Sequence, residues 1–120
     1  MTTYRDLKIW QKAIELVTDI YDITKSFPKD EVFGLTSQLR RSAISVPSNI
    51  SEGYGRFSNN EFRRFLLISR GSLFECQTQI EIARRLTYLS EEKFKFIYNN
   101  SQELDAMLTA FTKKLQKNIS

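Results

Sequence analysis

Four stretches of this chain repeat apolar residues at alternating steps of three and four, which gathers side chains on one face of an α-helix. No stretch shows the period of two that marks a half-buried strand. In the first stretch Leu7, Trp10, Ile14, Val17 and Tyr21 form one stripe. A second stripe, Ile9, Ala13, Leu16, Ile20 and Ile23, runs beside it, a wider apolar arc than one intramolecular core usually requires. That surplus predicts a second buried contact and, with it, self-association. The second stretch presents Leu35, Leu39, Ala43, Val46 and Ile50; the third, Phe62, Leu66, Ser69, Leu73, Cys76, Ile80 and Ala83; the fourth, Phe94, Ile97, Ser101, Leu104, Leu108, Phe111 and Leu115. The last two keep the alternation for three heptads, the seam expected of helices packed nearly antiparallel.

Punctuation between the stripes sets the boundaries. Phe27-Pro28-Lys29-Asp30 ends the first helix, because proline cannot continue a helix and pushes the residue before it toward extended backbone. Pro47 lies inside the second and predicts a kink or short break there. Gly53-Tyr54-Gly55 predicts a stop, with glycine taking the left-handed conformation. Ser58-Asn59-Asn60-Glu61 reads as a capping box and Ser90-Glu91-Glu92 as a second N-cap with acidic residues in the first turn. The expected helices are about 6–26, 32–52, 59–87 and 91–117, joined by short connections within a single domain spanning 1–120. The fold class is therefore all-α, an antiparallel up-down-up-down four-helix bundle.

Composition narrows the chemistry. The chain contains no histidine, which removes Ser-His-Asp and Cys-His pairs, histidine zinc sites and the Glu-x-x-His di-iron motif of ferritin-like bundles. The single cysteine, Cys76, falls on the apolar seam and reads as a buried, inert thiol. Gly53-Tyr54-Gly55-Arg56 lacks the later glycine and the Lys-Ser/Thr of a phosphate-binding loop, and no strand precedes it. No enzyme activity, cofactor, metal or small-molecule substrate is expected. One cysteine, a charged N-terminal segment and no apolar run long enough for a membrane span predict a soluble, cytoplasmic protein.

The formal charge of +4 leaves room for a polyanionic partner. Between Arg40 and Arg85 every basic residue is arginine, whereas from Lys93 onward every one is lysine. Arginine's planar fork grips phosphate or carboxylate at two points. Arg63, Arg70 and Arg84 share one face of the third helix at sevenfold spacing, with Gln77 between them, and Gln38, Ser45 and Glu52 repeat likewise on the second. Two readings stay open. The arginines pair with carboxylates such as Glu52, Glu75 and Glu81 within or between subunits, or several stay free to meet nucleic-acid phosphates. Glu81 precedes Arg85 by four residues and claims it as a helix-surface partner. The candidate nucleic-acid contacts are Arg40, Arg41, Arg56, Arg63, Arg64, Arg70 and Arg84, with Arg40, Arg63 and Arg70 the strongest.

The segments from Tyr4 to Ala13, from Phe33 to Ala43 and from Val46 to Arg56 resemble the four-helix-bundle family encoded in intervening sequences of bacterial 23S rRNA genes, also described as ribosomal-protein-like. Arg70-Gly71-Ser72-Leu73 and Leu86-Thr87-Tyr88-Leu89 extend the likeness over nearly the whole chain. The resemblance implies an up-down-up-down bundle, homopentameric assembly and no known catalysis. A looser similarity links it to accessory variability determinants of diversity-generating retroelements, which bind a reverse transcriptase. The expected function is a non-enzymatic oligomer binding RNA or a nucleoprotein through its arginines. The alternative is a protein-protein adaptor whose arginines serve subunit interfaces.

Overall fold

A computed structural model describes residues 2–117. Four helices follow one another: α1 (Lys8–Thr24), α2 (Leu35–Tyr54), α3 (Asn59–Arg85) and α4 (Glu91–Lys117). Each packs antiparallel to the one before it, and α1 closes the square against α4, while the diagonal pairs meet in no close backbone approach among the described residues. The bundle measures 48 × 23 × 22 Å. The seam residues of α2, α3 and α4 lie where their periodicity puts them. Leu39, Ala43, Val46, Ile50, Leu66, Leu73, Cys76, Ile80, Ala83, Ile97, Leu104 and Leu108 are all fully buried.

Helix α1 reverses the expected order of its two stripes. Ile9, Ala13, Leu16, Ile20 and Ile23, the apparent surplus, form its core face. Leu7, Trp10, Ile14 and Val17 are half-buried and Tyr21 is exposed. They flank a groove toward α2, where Trp10, Ile14 and Val17 meet Ile44 and Pro47. Tyr4–Asp6 forms a 3-10 turn ahead of α1, capped reciprocally by Thr3 and Asp6, so the helix begins later than the periodicity suggests.

Proline and glycine behave differently from expectation in α2. The helix starts at Leu35, after a 3-10 turn at Lys29–Glu31, and runs unbroken through the buried Pro47 to Tyr54. The surrounding core holds the segment helical despite the lost N–H. Neither Gly53 nor Gly55 is left-handed; Gly55 has φ −73° and ψ −6°. Gly53 is needed for closeness instead, since a Cβ there would lie 2.6 Å from Cβ of Phe65 and 3.0 Å from a ring carbon of Phe62. Serines continue the tight α2–α3 contact. Ser69 donates to the carbonyl of Val46 at 2.8 Å, Ser42 donates to Gln79 at 2.7 Å, and the Ser45 and Ser72 hydroxyls meet at 2.8 Å.

Side chains cap the remaining termini. The Glu61 amide donates to Ser58 Oγ at 3.0 Å, but the Glu61 carboxylate turns to Arg64, so only half of the predicted box forms. The Lys93 amide donates to Ser90 Oγ at 3.2 Å. Helix α3 ends with Thr87 left-handed at φ 62°, its turn closed by the Tyr88 amide donating to the carbonyl of Ala83 at 2.9 Å.

Candidate nucleic-acid interface

The seven candidate arginines fall into distinct environments. The sevenfold stripe on α3 faces α4. Arg70 Nε donates to Asp105 at 2.6 Å, Gln77 donates to Ser101 at 3.0 Å, and Arg84 bridges Glu81 and Glu91 while lying over the Phe94 ring at 4.9 Å. These residues lace two helices together. Glu81 accepts from both Arg84 and Arg85, which holds its carboxyl below the usual carboxylate range. Arg40 is also engaged: its Nε donates to Thr24 Oγ1 at 2.8 Å and its guanidinium lies 4.5 Å from the Tyr21 ring centre.

Arg63 differs. It belongs to the same stripe, yet nearby α4 offers threonines and lysines there rather than a carboxylate. Its Nε is buried without a hydrogen-bond partner, and no described residue forms an ion pair with it. Arg84 shares the buried, unpartnered Nε but is held by two carboxylates, whereas the Arg63 guanidinium is held by none among the described residues. Arg40 and Arg41 likewise make no ion pair with a described residue, but Arg40 is held by Thr24 and Tyr21, whereas Arg41 is exposed on α2.

Arg56 and Arg64 converge on one aromatic ring. Their guanidinium carbons lie 4.9 and 4.7 Å from the centre of Phe65, which is buried beneath them. Each also touches one carboxylate: Arg56 to Glu52 at 3.3 Å, and Arg64 to Glu61 at 3.0 Å. Both pairs are exposed and solvent-screened, so they hold the arginines weakly. Arg56, Arg63 and Arg64 therefore share the end of the bundle where α2 turns into α3. Arg40, Arg41 and Arg84 lie elsewhere, Arg41 about twelve residues of helix, or ~18 Å, from the level of Gly53.

That end gathers more basic residues than the arginine pattern indicates. Tyr54 Oη donates to the carbonyl of Thr2 at 3.1 Å, and the Phe62 ring sits 6.1 Å from Tyr54 and 5.5 Å from Phe111. These contacts bring the start of α1, the α2–α3 turn and the end of α4 together. When each helix is divided at its midpoint, the half containing this end carries ten basic residues (Arg5, Lys8, Lys12, Arg56, Arg63, Arg64, Arg70, Lys113, Lys114 and Lys117) against five acidic ones (Asp6, Glu15, Glu52, Glu61 and Asp105). The other half carries eight basic residues against nine acidic ones. The molecule is thus electrically polar: five net positive charges on one half and one net negative charge on the other. Lys113, Lys114 and Lys117 of α4 lie at the same end of the bundle as the α2–α3 arginines.

Burial pushes the Cys76 thiol up to about 12, well above thiolate range at neutral pH. Among the described residues, no cluster of acidic or cysteine side chains has metal-ligand geometry, and no helix is long and apolar enough to cross a membrane.

Comparison with known proteins agrees with the architecture. A Bacteroides thetaiotaomicron protein of unknown function from the S23 ribosomal protein family superposes with a TM-score of 0.81 at 25% identity, over 88% of this chain and 98% of that one. No functionally curated protein matches the sequence. The family model described as 23S rRNA-intervening sequence protein matches residues 5–110, which with the shared fold places this chain in that family.

Proposed function

We propose that this chain is a non-enzymatic, self-associating cytoplasmic protein that binds RNA through the basic end of its bundle. The polar charge distribution carries the reading. Ten basic residues gather in the half that holds only five acidic ones, Lys12 reaching across the midpoint to Glu103 at 2.9 Å, and Arg63 reaches that end with no hydrogen bond or ion pair to a described residue. Such a surface neutralises backbone phosphates and favours affinity over base specificity. A filter-binding titration with an RNA hairpin at low and high salt tests it. The expected result is binding that falls steeply with salt; absent or salt-insensitive binding rules it out. Arg63→Glu should weaken binding and lessen its salt dependence while leaving the assembly intact.

Self-association draws support from the outer face of α3. Leu67, Ile68, Phe74 and Ile82 are each 40–43% exposed there. Among them lies Gly71, where an added Cβ would meet nothing within 4 Å. A glycine mid-helix costs stability and here serves no contact within the chain, so close approach by another helix is its physical rationale. The same ridge favours the second reading, a protein-protein adaptor. Light scattering at micromolar concentration separates the cases: a purely 14 kDa species rules out self-association.

A further inference from the structure

Phe57 is the most exposed large apolar side chain among the described residues, at 107% of its reference area, and it stands on the α2–α3 turn between Arg56 and Ser58. Local folding does not account for it. Phe57 immediately precedes the N-cap of α3, the position whose apolar side chain normally packs onto residue N4 as a hydrophobic staple. Residue N4 is Phe62, and its ring is already held by Tyr54 and Phe111. Phe57 is left in water.

Its surroundings differ from those of an apolar protein-docking site. The neighbouring residues Arg56, Ser58, Asn59, Asn60, Arg63 and Arg64 supply guanidinium groups and amides, with the carboxylates of Glu52 and Glu61 on Arg56 and Arg64, but no second exposed apolar side chain. A protein hot spot is normally set within a ring of water-excluding contacts, which this turn lacks. An aromatic face amid arginines matches instead the pairing used on single-stranded nucleic acid, where bases stack on rings and cations track the backbone. A-form duplex hides its base faces within the stack and offers no face to a lone ring.

We propose that Phe57 is a stacking platform for an unpaired nucleobase, with Arg63 available to the adjoining phosphates, so that the basic end prefers single-stranded or looped RNA to duplex. This rests on the RNA-binding reading above and specifies its ligand.

Fluorescence anisotropy with the full chain tests it, using a labelled mixed-sequence RNA strand without secondary structure and a blunt RNA duplex of equal length. The unmodified chain should bind the strand more tightly. Phe57→Ala should weaken strand binding roughly tenfold while leaving the duplex nearly unaffected, and Phe57→Trp should retain strand binding. Because the side chain makes no core contact, both variants should keep the parent's circular dichroism. Equal loss on both RNAs, or no loss on the strand, overturns the proposal while the RNA-binding reading stands. Failure of the parent to bind either RNA at low salt instead removes that reading and the platform with it. A lower mass for Phe57→Ala in light scattering, with unchanged RNA affinity, makes Phe57 a subunit knob and also overturns the proposal.

Discussion

Gly53 and Gly71 both sit inside helices, where replacing glycine with alanine normally stabilises by about 1 kcal/mol, but their surroundings demand opposite outcomes. Gly53→Ala should destabilise by about 1–3 kcal/mol, because its Cβ meets the Cβ of Phe65 and the Phe62 ring, and neither can retreat from a packed core. Gly71→Ala, pointing into open space, should stabilise the dissociated chain by about 1 kcal/mol. Urea unfolding at high dilution distinguishes the two; similar shifts in one direction would contradict the packing described. Thr87 offers a third case, a β-branched residue held left-handed at φ 62°. Thr87→Gly should stabilise by about 0.5–1 kcal/mol, the relieved strain of ~1–2 kcal/mol being partly offset by the greater entropy of an unfolded glycine. At this scale the sequence is only partly legible. The Gly-x-Gly correctly marks where α2 stops, but without a left-handed glycine, and only the opposing helix reveals that Gly53 is there for its missing side chain. Cys76, by contrast, could be placed from its seam position alone.

The helices themselves were readable because their stripes record burial directly, and the seams of α2, α3 and α4 face the core, with Phe62, Phe94 and Phe111 half-buried at its margin. Helix α1 was harder to orient, since its two adjacent stripes are similarly apolar and the choice depends on which neighbours cover them. The arginine stripe of α3 poses the same difficulty. Its spacing shows that Arg63, Arg70 and Arg84 share a face, whereas the carboxylate that engages Arg70 belongs to α4, thirty-five residues away. Electrostatics on these elements predict opposite pH responses. Glu81 is held low by Arg84 and Arg85, so its stabilising contribution is complete above the ordinary carboxylate range and disappears as pH falls through its depressed value. Asp19 on α1 is raised, first by burial and then by Glu15 and Asp22, so its charge disfavours the fold at neutral pH and that penalty disappears on acidification. Glu81→Gln should therefore lower the Tm, and Asp19→Asn raise it, at neutral pH, both modestly because solvent screens these partly exposed groups. Both differences should close as pH drops through the carboxylate range; thermal melts across pH in which either gap persisted at acid pH would contradict the assignment.

Charge polarity belongs to the whole molecule and to no single helix, which is why it could not be seen along the chain. Arg5 and Lys8, Arg56 to Arg64, and Lys113 to Lys117 are far apart in sequence, and only antiparallel closure brings them to one end. A linear scan instead picks out the arginine-rich middle, which spans both ends of the bundle. The two descriptions make different demands on RNA binding. If affinity comes from the basic end, each phosphate contact to a single strand contributes about 0.7 to the slope of log K against log salt. Neutralising Lys113 and Lys114 together should then reduce that slope by about 1.4 and weaken binding at low salt, even though neither residue lies in the arginine-rich segment. The matched pair Lys93→Gln and Lys95→Gln, at the opposite end of the same helix, removes the same net charge. If only total charge mattered, the two double variants would behave alike; if position governs, the second should leave the slope unchanged. Salt titrations of both variants decide between a localised binding end and a diffusely basic protein.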